Sequence, residues 1–571
     1  MKVTDYIIEF LIDKGVGDVF GYPGGVICHL MDSATKYRDK ITPHLCSHEQ
    51  GAAFAAVGYG QAAGVPGVAY STRGPGFTNM MTAIADAYYD SVPAIFVTAH
   101  AARHTEPDMR VLNNQEIDVI TPCRTFTKYA VRVDSPDDFI FEVNKAYGIA
   151  VSGRKGPVVL DIWNGIFSQE IIPSYEAAKD EPDWVMGDSN SSFAENDRLA
   201  EYIQDKLAEA LRPVLLIGNG VRGGQNVSFI KEIAHTARIP VLSSRIGQDI
   251  VPDSDEYFGF VGSRATRYSN FILSKADLII SVGNRLSFPV NSQSFAPIVE
   301  KTDIVRVDID DTEFKRELPR CSCFKADAGP VLEILAHRKL NYRHPDEWME
   351  VCNSLKKTLD GYDKNSVIDG IMNLIGKANN DSPLVCDVGN HSFWVTTAYA
   401  YQKVCNRIMY SGSFGTLGSA LPKAIGAYYS TGKPVLCFTG DQGVQFNIQE
   451  LQLIGSEKLP VGIVILNNQS SGMIMERQKA KYGNHLVHTT LLDGYGYPDF
   501  EKLAGVYGVG YERYTDAGLA ECSDRWKKGP VIIEVMIDKD TQLQPSLPQG
   551  MPCQDLYPYI ERNLYAKLDA L

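Results

Sequence analysis

Short apolar segments rich in β-branched residues alternate along the chain with longer stretches of mixed polar and apolar residues. The apolar segments are 67–71, 94–98, 157–162, 213–218, 278–283, 304–308, 384–387, 435–438, 461–466 and 531–535. Segments this short and this apolar are typical of parallel strands that are covered on both faces. The intervals between them leave room for helices. The pattern therefore predicts repeated α/β units with parallel sheets.

Chain length and two polar segments divide this pattern into domains. A chain of 571 residues is too long for one hydrophobic core, because cores stop growing near about 250–300 residues. Residues 174–193 are polar and acidic, and residues 341–365 mix charges with helix formers, so we predict that both are linkers. We predict three doubly wound parallel-sheet domains at 1–172, 190–338 and 366–540, followed by a proline-rich tail at 541–571.

Net charge and cysteine usage narrow the class of protein. The formal charge of −14 argues against a general role on nucleic acid or an anionic membrane, because both need clustered Lys and Arg. We therefore expect small-molecule partners. The first residues lack a signal-peptide pattern and no long apolar run occurs, so we expect a cytoplasmic protein. The cysteines are scattered, and Cys321 and Cys323 have no second pair at metal-site spacing, which indicates reduced thiols.

The strongest chemical signal is a pair of polar strand ends. One predicted strand ends in Gly440-Asp441-Gln442-Gly443, a helix-like stretch covers 445–457, and the next strand ends in Asn467-Asn468. Parallel strands end at the same edge of a sheet, where ligands bind. The Asp441 carboxylate and the Asn468 amide oxygen are hard ligands of the kind that Mg²⁺ or Ca²⁺ prefers. Loop amides and the following helix N-terminus add donors for a diphosphate.

This arrangement resembles the GDG-to-NN motif of thiamine diphosphate enzymes. Further segments look, in order and spacing, like parts of acetolactate synthase large subunits; they are 21–25, 48–52, 74–79 with 85–87, 387–391 and 415–422. The resemblance implies three doubly wound domains of the pyruvate oxidase and pyruvate decarboxylase type. It also implies thiamine diphosphate and Mg²⁺ as cofactors.

The resemblance implies roles for single residues. Glu49 matches the glutamate that hydrogen-bonds N1′ of the aminopyrimidine, so that the cofactor removes its own thiazolium C2 proton. Leu417 matches the bulky residue that props the cofactor in its bent conformation. Asp441, Asn468 and the backbone carbonyl of Ser470 match the metal ligands. Further implied cofactor contacts are Pro23, Gly24, Asn79, Asn390, His391, Ser392, Gly415, Gly440, Gln442, Gly443, Ser471, Gly472 and Met473.

Two further candidate catalytic residues lie in the first domain. Gln115 matches a glutamine that reaches the reaction centre, with a purely structural amide as the alternative. His100 stands where the synthases usually carry glutamine, and Arg103 and His104 are nearby. A different proton donor or acceptor is therefore expected to face the second substrate.

Departures from the synthase pattern bear on the substrate. Gln442 replaces the third glycine of the motif, and Gly443 is expected to supply the lost flexibility. Arg477 stands where the synthases carry tryptophan; a guanidinium suits a phosphate or carboxylate, and an exposed helix arginine is the alternative. Segments 25–33, 283–287 and 497–504 look more like acetolactate-synthase-like enzymes of bacterial surface-sugar pathways. Gly25 and Arg477 are therefore the candidate substrate residues, and a keto-sugar nucleotide is one candidate acceptor.

The central domain resembles the FAD-binding domain of the synthases. The shared features are the segments 218–220, 283–285 and 307–310. Glycine turns and acidic strand ends are generic to nucleotide-binding sheets, so the sequence leaves FAD open. A yellow protein would indicate a flavoprotein, and a colourless one an empty or vestigial site.

Taken with these residues, the resemblance implies decarboxylation of a 2-keto acid, pyruvate being the expected donor, with transfer of the acyl carbanion to a carbonyl acceptor. The alternatives among enzymes are a simple 2-keto acid decarboxylase and a 2-hydroxyketone lyase. An alternative of another class is a non-catalytic regulatory homologue. The family places its cofactor between two subunits, which implies a homodimer or homotetramer.

Overall fold

The computed structural model of the protein describes residues 1–101, 113–173, 192–287 and 293–571. Its named strands form three six-stranded sheets in which every pairing is parallel. The strands of the first sheet are β1 (Asp18–Gly21), β2 (Thr42–Leu45), β3 (Gly67–Tyr70), β4 (Ala94–His100), β5 (Tyr129–Val133) and β6 (Pro157–Trp163). Those of the central sheet are β7 (Pro213–Ile217), β8 (Val241–Ser243), β9 (Tyr257–Phe260), β10 (Leu278–Val282), β11 (Asp303–Asp308) and β12 (Cys321–Lys325). Those of the third sheet are β13 (Leu384–Cys386), β14 (Ile408–Tyr410), β15 (Val435–Gly440), β16 (Val461–Asn467), β17 (Gly510–Thr515) and β18 (Val531–Met536).

Helices connect these strands. In the first part of the chain they are α1 (Val3–Asp13), α2 (Cys28–Lys36), α3 (Glu49–Ala63), α4 (Pro75–Tyr89), α5 (Ile120–Cys123) and α6 (Pro136–Val151). Around the central sheet they are α7 (Phe193–Glu209), α8 (Asn226–Ala237), α9 (Arg267–Lys275), α10 (Ala296–Lys301), α11 (Ala328–His337), α12 (Pro345–Leu359) and α13 (Ser366–Lys377). The remaining helices are α14 (Asn390–Ala400), α15 (Ala420–Thr431), α16 (Leu451–Ser456), α17 (Gly472–Lys481), α18 (Phe500–Tyr507) and α19 (Arg562–Ala570).

Strand order places a crevice in each sheet. The first sheet has the order β2-β1-β3-β4-β6-β5, and the third repeats this order as β14-β13-β15-β16-β18-β17. The central sheet has the order β12-β11-β10-β7-β8-β9. The direction of winding reverses between β1 and β3, between β7 and β10, and between β13 and β15. Ligands of such sheets bind at this reversal, beyond the carboxyl ends of the strands.

The first and third sheets lie in one compact unit, formed by the described residues of Met1–Gly187, Asp381–Ser392 and Arg407–Lys539. Helices α3 and α15 of this unit pack backbone against backbone. A Cβ atom on Gly426 would lie 1.8 Å from the Ala55 carbonyl oxygen, and one on Gly58 would lie 2.2 Å from the Lys423 carbonyl oxygen. Glycine is required at both positions because any side chain would collide with main-chain atoms.

The central sheet lies in a second compact unit, formed by the described residues of Asp188–Asn380, Phe393–Asn406 and Asp540–Leu571. This unit contains a buried ion pair between Arg267 and Asp363. Arg267 donates from Nε and Nη2 to Asp363 Oδ1 at 2.8 and 2.6 Å. Its Nη1 donates to the Leu556 carbonyl at 2.9 Å. The hydrogen bond to Leu556 connects the segment after the last strand to the start of α9.

The predicted fold class is confirmed, since all three sheets are parallel and helix-covered. The sequence pattern missed eight of these strands. Three of them, β5, β12 and β17, are edge strands with half-exposed faces. The other five have only three or four residues each; they are β1, β2, β8, β9 and β14. The helix-like stretch 445–457 is broken: Gly443–Glu450 is a 3-10 helix with a kink at Asn447. At the kink, the Asn447 side chain donates a hydrogen bond to the Gly418 carbonyl at 2.8 Å.

The remaining predictions about chain organisation concern the two linkers and the domain boundaries. Segment 174–193 lies almost wholly outside the described residues, whereas segment 341–365 contains α12. The domain boundaries stay predictions. In the described parts of the chain, no helix combines the length and apolar character needed to cross a membrane.

Candidate active site

Polar side chains collect at the carboxyl edge of the third sheet. Asp441 follows β15 and Asn468 follows β16, and both are buried. Since β15 and β16 are parallel neighbours, their ends bring the carboxylate and the amide to one edge. Asn390 and His391 begin α14 beyond β13, on the other side of the winding reversal.

Several buried polar atoms at this edge have no hydrogen-bond partner among the described residues. They are Asn390 Oδ1, His391 Nε2, Asp441 Oδ2 and Ser470 Oγ. Each buried unsatisfied group costs about 1–3 kcal/mol, and folded proteins contain few of them. A cluster of carboxylate, amide, imidazole and hydroxyl atoms fits a ligand that presents phosphate oxygens and a divalent cation.

Burial sets the protonation states at this edge. Burial raises the pKa of Asp441 to about 6, although the neighbouring Tyr495 hydroxyl and backbone N–H groups lower it. Burial also lowers the pKa of His391 to about 4, which keeps the ring neutral near pH 7. A divalent cation beside Asp441 would favour its ionised form.

Gly472 allows the amides and a helix terminus to meet. A Cβ atom on Gly472 would lie 2.6 Å from Asn468 Nδ2 and 3.1 Å from Asn390 Nδ2. Asn390 Nδ2 donates to Glu476 Oε1 at 3.0 Å. Because Gly472 begins α17, the free N–H groups of this helix point toward the same place, as they do in anion sites. Ser471 and Met473, on either side, are half-buried.

Gln442 and Gly443 have different backbone requirements. Gln442 has φ −90° and ψ −43°, an ordinary right-handed conformation, so the glycine that it replaces is not needed there. A Cβ atom on Gly443 would lie 2.8 Å from Asp387 Oδ2. Burial raises the pKa of Asp387 to about 6, against hydrogen bonds from Val388, Gly418 and Thr439. The departure at Gln442 therefore leaves the turn intact.

Glu49 begins α3 and is held from one side. Asn79 Nδ2 donates to Glu49 Oε2 at 3.0 Å. A Cβ atom on Gly76 would lie 3.2 Å from Glu49 Oε1, so the glycine keeps the second oxygen accessible. His48 caps the helix through Nδ1, which accepts from the Gln50 N–H at 3.1 Å. The carboxylate is half-buried, with one oxygen fixed by a hydrogen bond.

Glu450 supports the same helix terminus from the third-sheet side of the unit. Its two oxygens accept from the Ser47 and His48 backbone N–H groups, each at 3.1 Å. The side chain is buried, and burial raises its pKa to about 7. Sequence reasoning missed Glu450 and Tyr495. The signal for Glu450 was an acidic residue inside the apolar pattern of 448–454, whereas Tyr495 carried no local signal.

Leu417 lies on a turn between two left-handed glycines. Gly415 has φ +74° and Gly418 has φ +84°. The Gly418 N–H donates to Asp387 Oδ1 at 2.8 Å, and Leu417 is half-buried. The turn leads directly into α15, so the position of Leu417 depends on the helix that packs against α3.

The first sheet carries the other predicted contacts at its own winding reversal. Pro23 and Gly25 are exposed, and Gly24 is half-buried. A Cβ atom on Gly24 would lie 2.4 Å from Thr72 Cβ, and Thr72 Cγ2 would lie 2.8 Å from one on Gly76. This packing places the 21–25 turn beside the start of α4.

The structure places the remaining candidates less centrally. His100 is buried at the end of β4, with Nε2 2.8 Å from Asp134 Oδ1 and Nδ1 3.0 Å from Asp161 Oδ1. Gln115 is exposed with φ +59°. Arg477 is exposed on α17. Arg103 and His104 lie outside the described residues.

Comparison with known proteins covers most of the chain. Residues 1–121 match the family model "Thiamine pyrophosphate enzyme, N-terminal TPP binding domain". Residues 200–335 match the central domain of the same enzymes, and residues 387–535 match their C-terminal TPP binding domain. The three matches fall on the first, central and third sheets.

Curated proteins similar to this chain include several acetolactate synthases. The acetolactate synthase isozyme 2 large subunit of Escherichia coli (strain K12) is 31% identical over 564 residues, covering 96% of this chain and 98% of its own length. The acetolactate synthase large subunit of Lactococcus lactis subsp. lactis (strain IL1403) is 30% identical over 97% of this chain and 95% of its own length. Acetolactate synthase 2, chloroplastic, of Nicotiana tabacum is 30% identical over 97% of this chain and 85% of its own length.

Proposed function

The chain belongs to the acetolactate synthase-like family of thiamine pyrophosphate enzymes, and from this we propose that it decarboxylates pyruvate and joins the acyl group to a carbonyl acceptor. The single observation that carries the proposal is the Glu49 carboxylate held by Asn79. That arrangement serves a carboxylate that must keep one oxygen directed at a proton of a ligand. A non-catalytic homologue would have no need of it.

Magnesium is the proposed metal. Support comes from the orphaned, buried Asp441 Oδ2 beside Asn468 at the end of the third sheet. These two side chains and the Ser470 carbonyl would supply three oxygen ligands, and phosphate oxygens and water would supply the rest. Neutral His391 and the N-terminus of α17 would bind the diphosphate oxygens that the metal leaves uncovered.

Each of the chain's own residues then has a defined task. Thiamine diphosphate, when bound, would supply a carbon acid whose deprotonated form adds to the keto group, and an electron sink for the pair left after CO₂ departs. Glu49 accepts and returns one proton through the oxygen that Asn79 leaves unbonded. Leu417 would pack against the bound ligand, and the buried surroundings of Asp441 would exclude water, which strengthens charge interactions in the site.

Replacement of Glu49 by Gln tests this proposal directly. We expect Glu49→Gln to retain binding of thiamine diphosphate and Mg²⁺ while proton exchange at C2 falls by at least about 100-fold, the scale of general acid–base catalysis. Exchange is started by dilution into deuterium oxide, stopped with acid and measured by NMR. The matched control is Glu501→Gln, an exposed residue of α18. Undiminished exchange in the Glu49 variant would remove the proposal.

The acceptor is proposed to carry an anionic group, of the kind found in a keto-sugar nucleotide. Support comes from Arg477, which is exposed on α17, a helix that begins at the proposed diphosphate site. It is a cation on a chain of net charge −14, and a guanidinium binds phosphate in a bidentate manner.

Product analysis with paired acceptors tests this assignment. Purified protein is incubated with pyruvate and keto-sugars with and without a nucleoside diphosphate, followed by mass spectrometry. We expect Arg477→Gln to raise the KM for the charged acceptor by about 10–100-fold, equivalent to one charge-assisted contact, and to leave the KM for pyruvate unchanged. Lys481→Gln, at the end of the same helix, is the control. Release of CO₂ at full rate without any acceptor would instead favour a simple decarboxylase.

A homodimer or homotetramer in the cytoplasm is part of the same proposal. Apolar side chains remain exposed in the unit that holds the first and third sheets, and they support an interface there; they are Tyr22, Leu45, Phe414 and Phe446. Light scattering on the eluted protein measures the assembly. An active monomer would contradict the proposal, because Glu49 and Asp441 are expected to serve different copies of the site.

Flavin is proposed to have no catalytic part, since decarboxylation followed by C–C bond formation involves no net oxidation. The central-sheet glycines have another explanation. A Cβ atom on Gly218 would lie 2.1 Å from the Gly283 carbonyl oxygen, and the Gly220 N–H donates to that same oxygen at 3.0 Å. The two turns therefore need glycine to pack on each other. Visible absorbance of the purified protein measures flavin content, and activity that depends on added FAD would overturn this point.

A further inference from the structure

We propose that Asp86, Asp90 and Lys423 are positioning residues that clamp the Leu417 turn from the first domain of the same chain. Asp86 lies on α4, Asp90 is the residue that caps the end of α4, and Lys423 lies on α15. The inference rests on the proposed function, because a defined Leu417 position matters only if that side chain supports the cofactor. No role in the reaction has been assigned above to any of the three.

Asp86 is the centre of the clamp. Its side chain is fully buried, as is that of Lys423, and Lys423 Nζ donates to Asp86 Oδ2 at 2.6 Å. The other oxygen, Oδ1, accepts from the hydroxyl of Ser411 and from Thr416 Oγ1, the latter at 2.9 Å. Three donors from the third-sheet side therefore meet one carboxylate from the first-sheet side.

Asp90, four residues after Asp86 at the C-terminal cap of α4, holds the tip of the same loop. Its Oδ2 accepts from the Gly412 N–H and its Oδ1 accepts from the Ser413 N–H, each at 2.7 Å. Backbone donors are held in fixed directions, so a carboxylate that binds two successive N–H groups defines the loop's path.

The clamp reaches Leu417 through the intervening residues. The Thr416 N–H donates to Ser411 Oγ at 2.8 Å, and Ser411 itself binds Asp86. On the far side of Leu417, the Gly418 N–H is bound to Asp387. The main chain is thus fixed immediately before and after Leu417, while its half-buried side chain makes none of these bonds. Fixing the main chain on both sides of Leu417 is expected if a small displacement of this side chain would change the reactivity of the bound cofactor.

A buried ion pair is an inefficient means of stabilising a domain contact. Desolvation of both charges offsets most of their attraction, and apolar pairs of similar volume are often equally stable. Hydroxyl donors give Asp86 a directional role that an apolar residue would lack. The pair therefore serves the conformation of the turn more than the free energy of folding.

Two double variants separate these roles. Asp86→Leu with Lys423→Met removes both charges and leaves the Ser411 and Thr416 hydroxyls without their acceptor. Asp86→Asn with Lys423→Met also removes both charges, but the Asn oxygen still accepts from both hydroxyls. A matched control is Arg267→Met with Asp363→Asn, which removes the buried pair of the other compact unit.

Amide hydrogen exchange of the protein without cofactor is the first readout, and C2 proton exchange of bound thiamine diphosphate is the second. For the Leu/Met variant we expect faster amide exchange in 411–418 and C2 exchange slowed by about 10–100-fold, as for a small misplacement of a supporting group. Binding of thiamine diphosphate and Mg²⁺ should persist. The Asn/Met variant and the control should both match the wild type in the two readouts.

Protected amides in 411–418 and wild-type C2 exchange in the Leu/Met variant would overturn the clamp. Equal slowing in the control would also overturn it, because the effect would then follow from loss of any buried pair. If the wild-type protein itself fails to exchange the C2 proton, the proposed function fails instead, and the amide exchange of 411–418 still decides whether the clamp exists.

Discussion

Gly426→Ala tests the close approach of α3, which begins at Glu49, and α15, which follows the Leu417 turn. A Cβ atom at this position would lie 1.8 Å from the Ala55 carbonyl oxygen and 2.6 Å from the Tyr59 nitrogen. Ordinary contact requires 3.4 Å or more, so α15 must retreat from α3 by about 1.5 Å, which forfeits much of the dispersion attraction along the crossing. The atoms in the way belong to main chain, which a change of rotamer cannot move.

The expected cost follows from two opposing terms. Overpacking costs about 1–3 kcal/mol, and a main-chain collision lies at the upper end of that range. Alanine in place of glycine returns about 1 kcal/mol through helix propensity. The net loss is therefore about 2 kcal/mol, which lowers the melting temperature by about 4–8 °C on the scale of domains of this size.

The assay is the melting temperature of the protein without cofactor, followed by circular dichroism. The matched control is Gly505→Ala in α18, where a Cβ atom would meet nothing within 4 Å; this variant should melt at or slightly above the wild-type temperature. If Gly426→Ala melts no lower than Gly505→Ala, the two helices do not approach as closely as described. The close helix contact would then no longer connect Glu49 to the Leu417 turn.

Asp441→Asn, Glu450→Gln and Asp363→Ala each probe a different buried charge. Because burial raises the pKa of Asp441 to about 6, its charge destabilises the fold above that pH. Asp441→Asn should therefore melt at a higher temperature at pH 8 without ligands, and a lower melting temperature would contradict this. The same variant should bind thiamine diphosphate and Mg²⁺ about 10–100-fold more weakly by calorimetry. The pKa of Glu450 is raised from 4.5 to about 7, so stability should fall as pH rises from about 4.5 to 7. Melting curves across that range should show a smaller fall in Glu450→Gln than in the wild type, because Asp387 and Asp441 still contribute; equal falls would contradict this. Asp363→Ala leaves the buried charge of Arg267 without its partner and should lower the free energy of unfolding in urea by about 3–5 kcal/mol. Adding Arg267→Met should recover most of that loss. A loss below about 1 kcal/mol in Asp363→Ala would refute the buried pair.

Local patterns were sufficient for the features that depend on neighbours in sequence. Apolar segments covered on both faces predict central parallel strands because burial on two faces demands apolar residues at every position. The pattern did not predict edge strands such as β5 and β17, because one side of each faces solvent and tolerates polar residues. Parallel strands end at one edge, which is why Asp441 and Asn468 were predictable as a pair.

Only the tertiary structure decided which contacts form between segments that are distant in sequence. Lys423 binds Asp86 across 337 positions, and Glu450 binds the His48 N–H across 402; nothing near either residue in sequence identifies its partner. The same holds for strand order, which is shared by the first and third sheets but different in the central one. Hydrophobic periodicity reports which face of an element is buried. The partner on that face is chosen by packing of the whole unit, because burial energy is non-directional and polar contacts form only where packing brings the groups together.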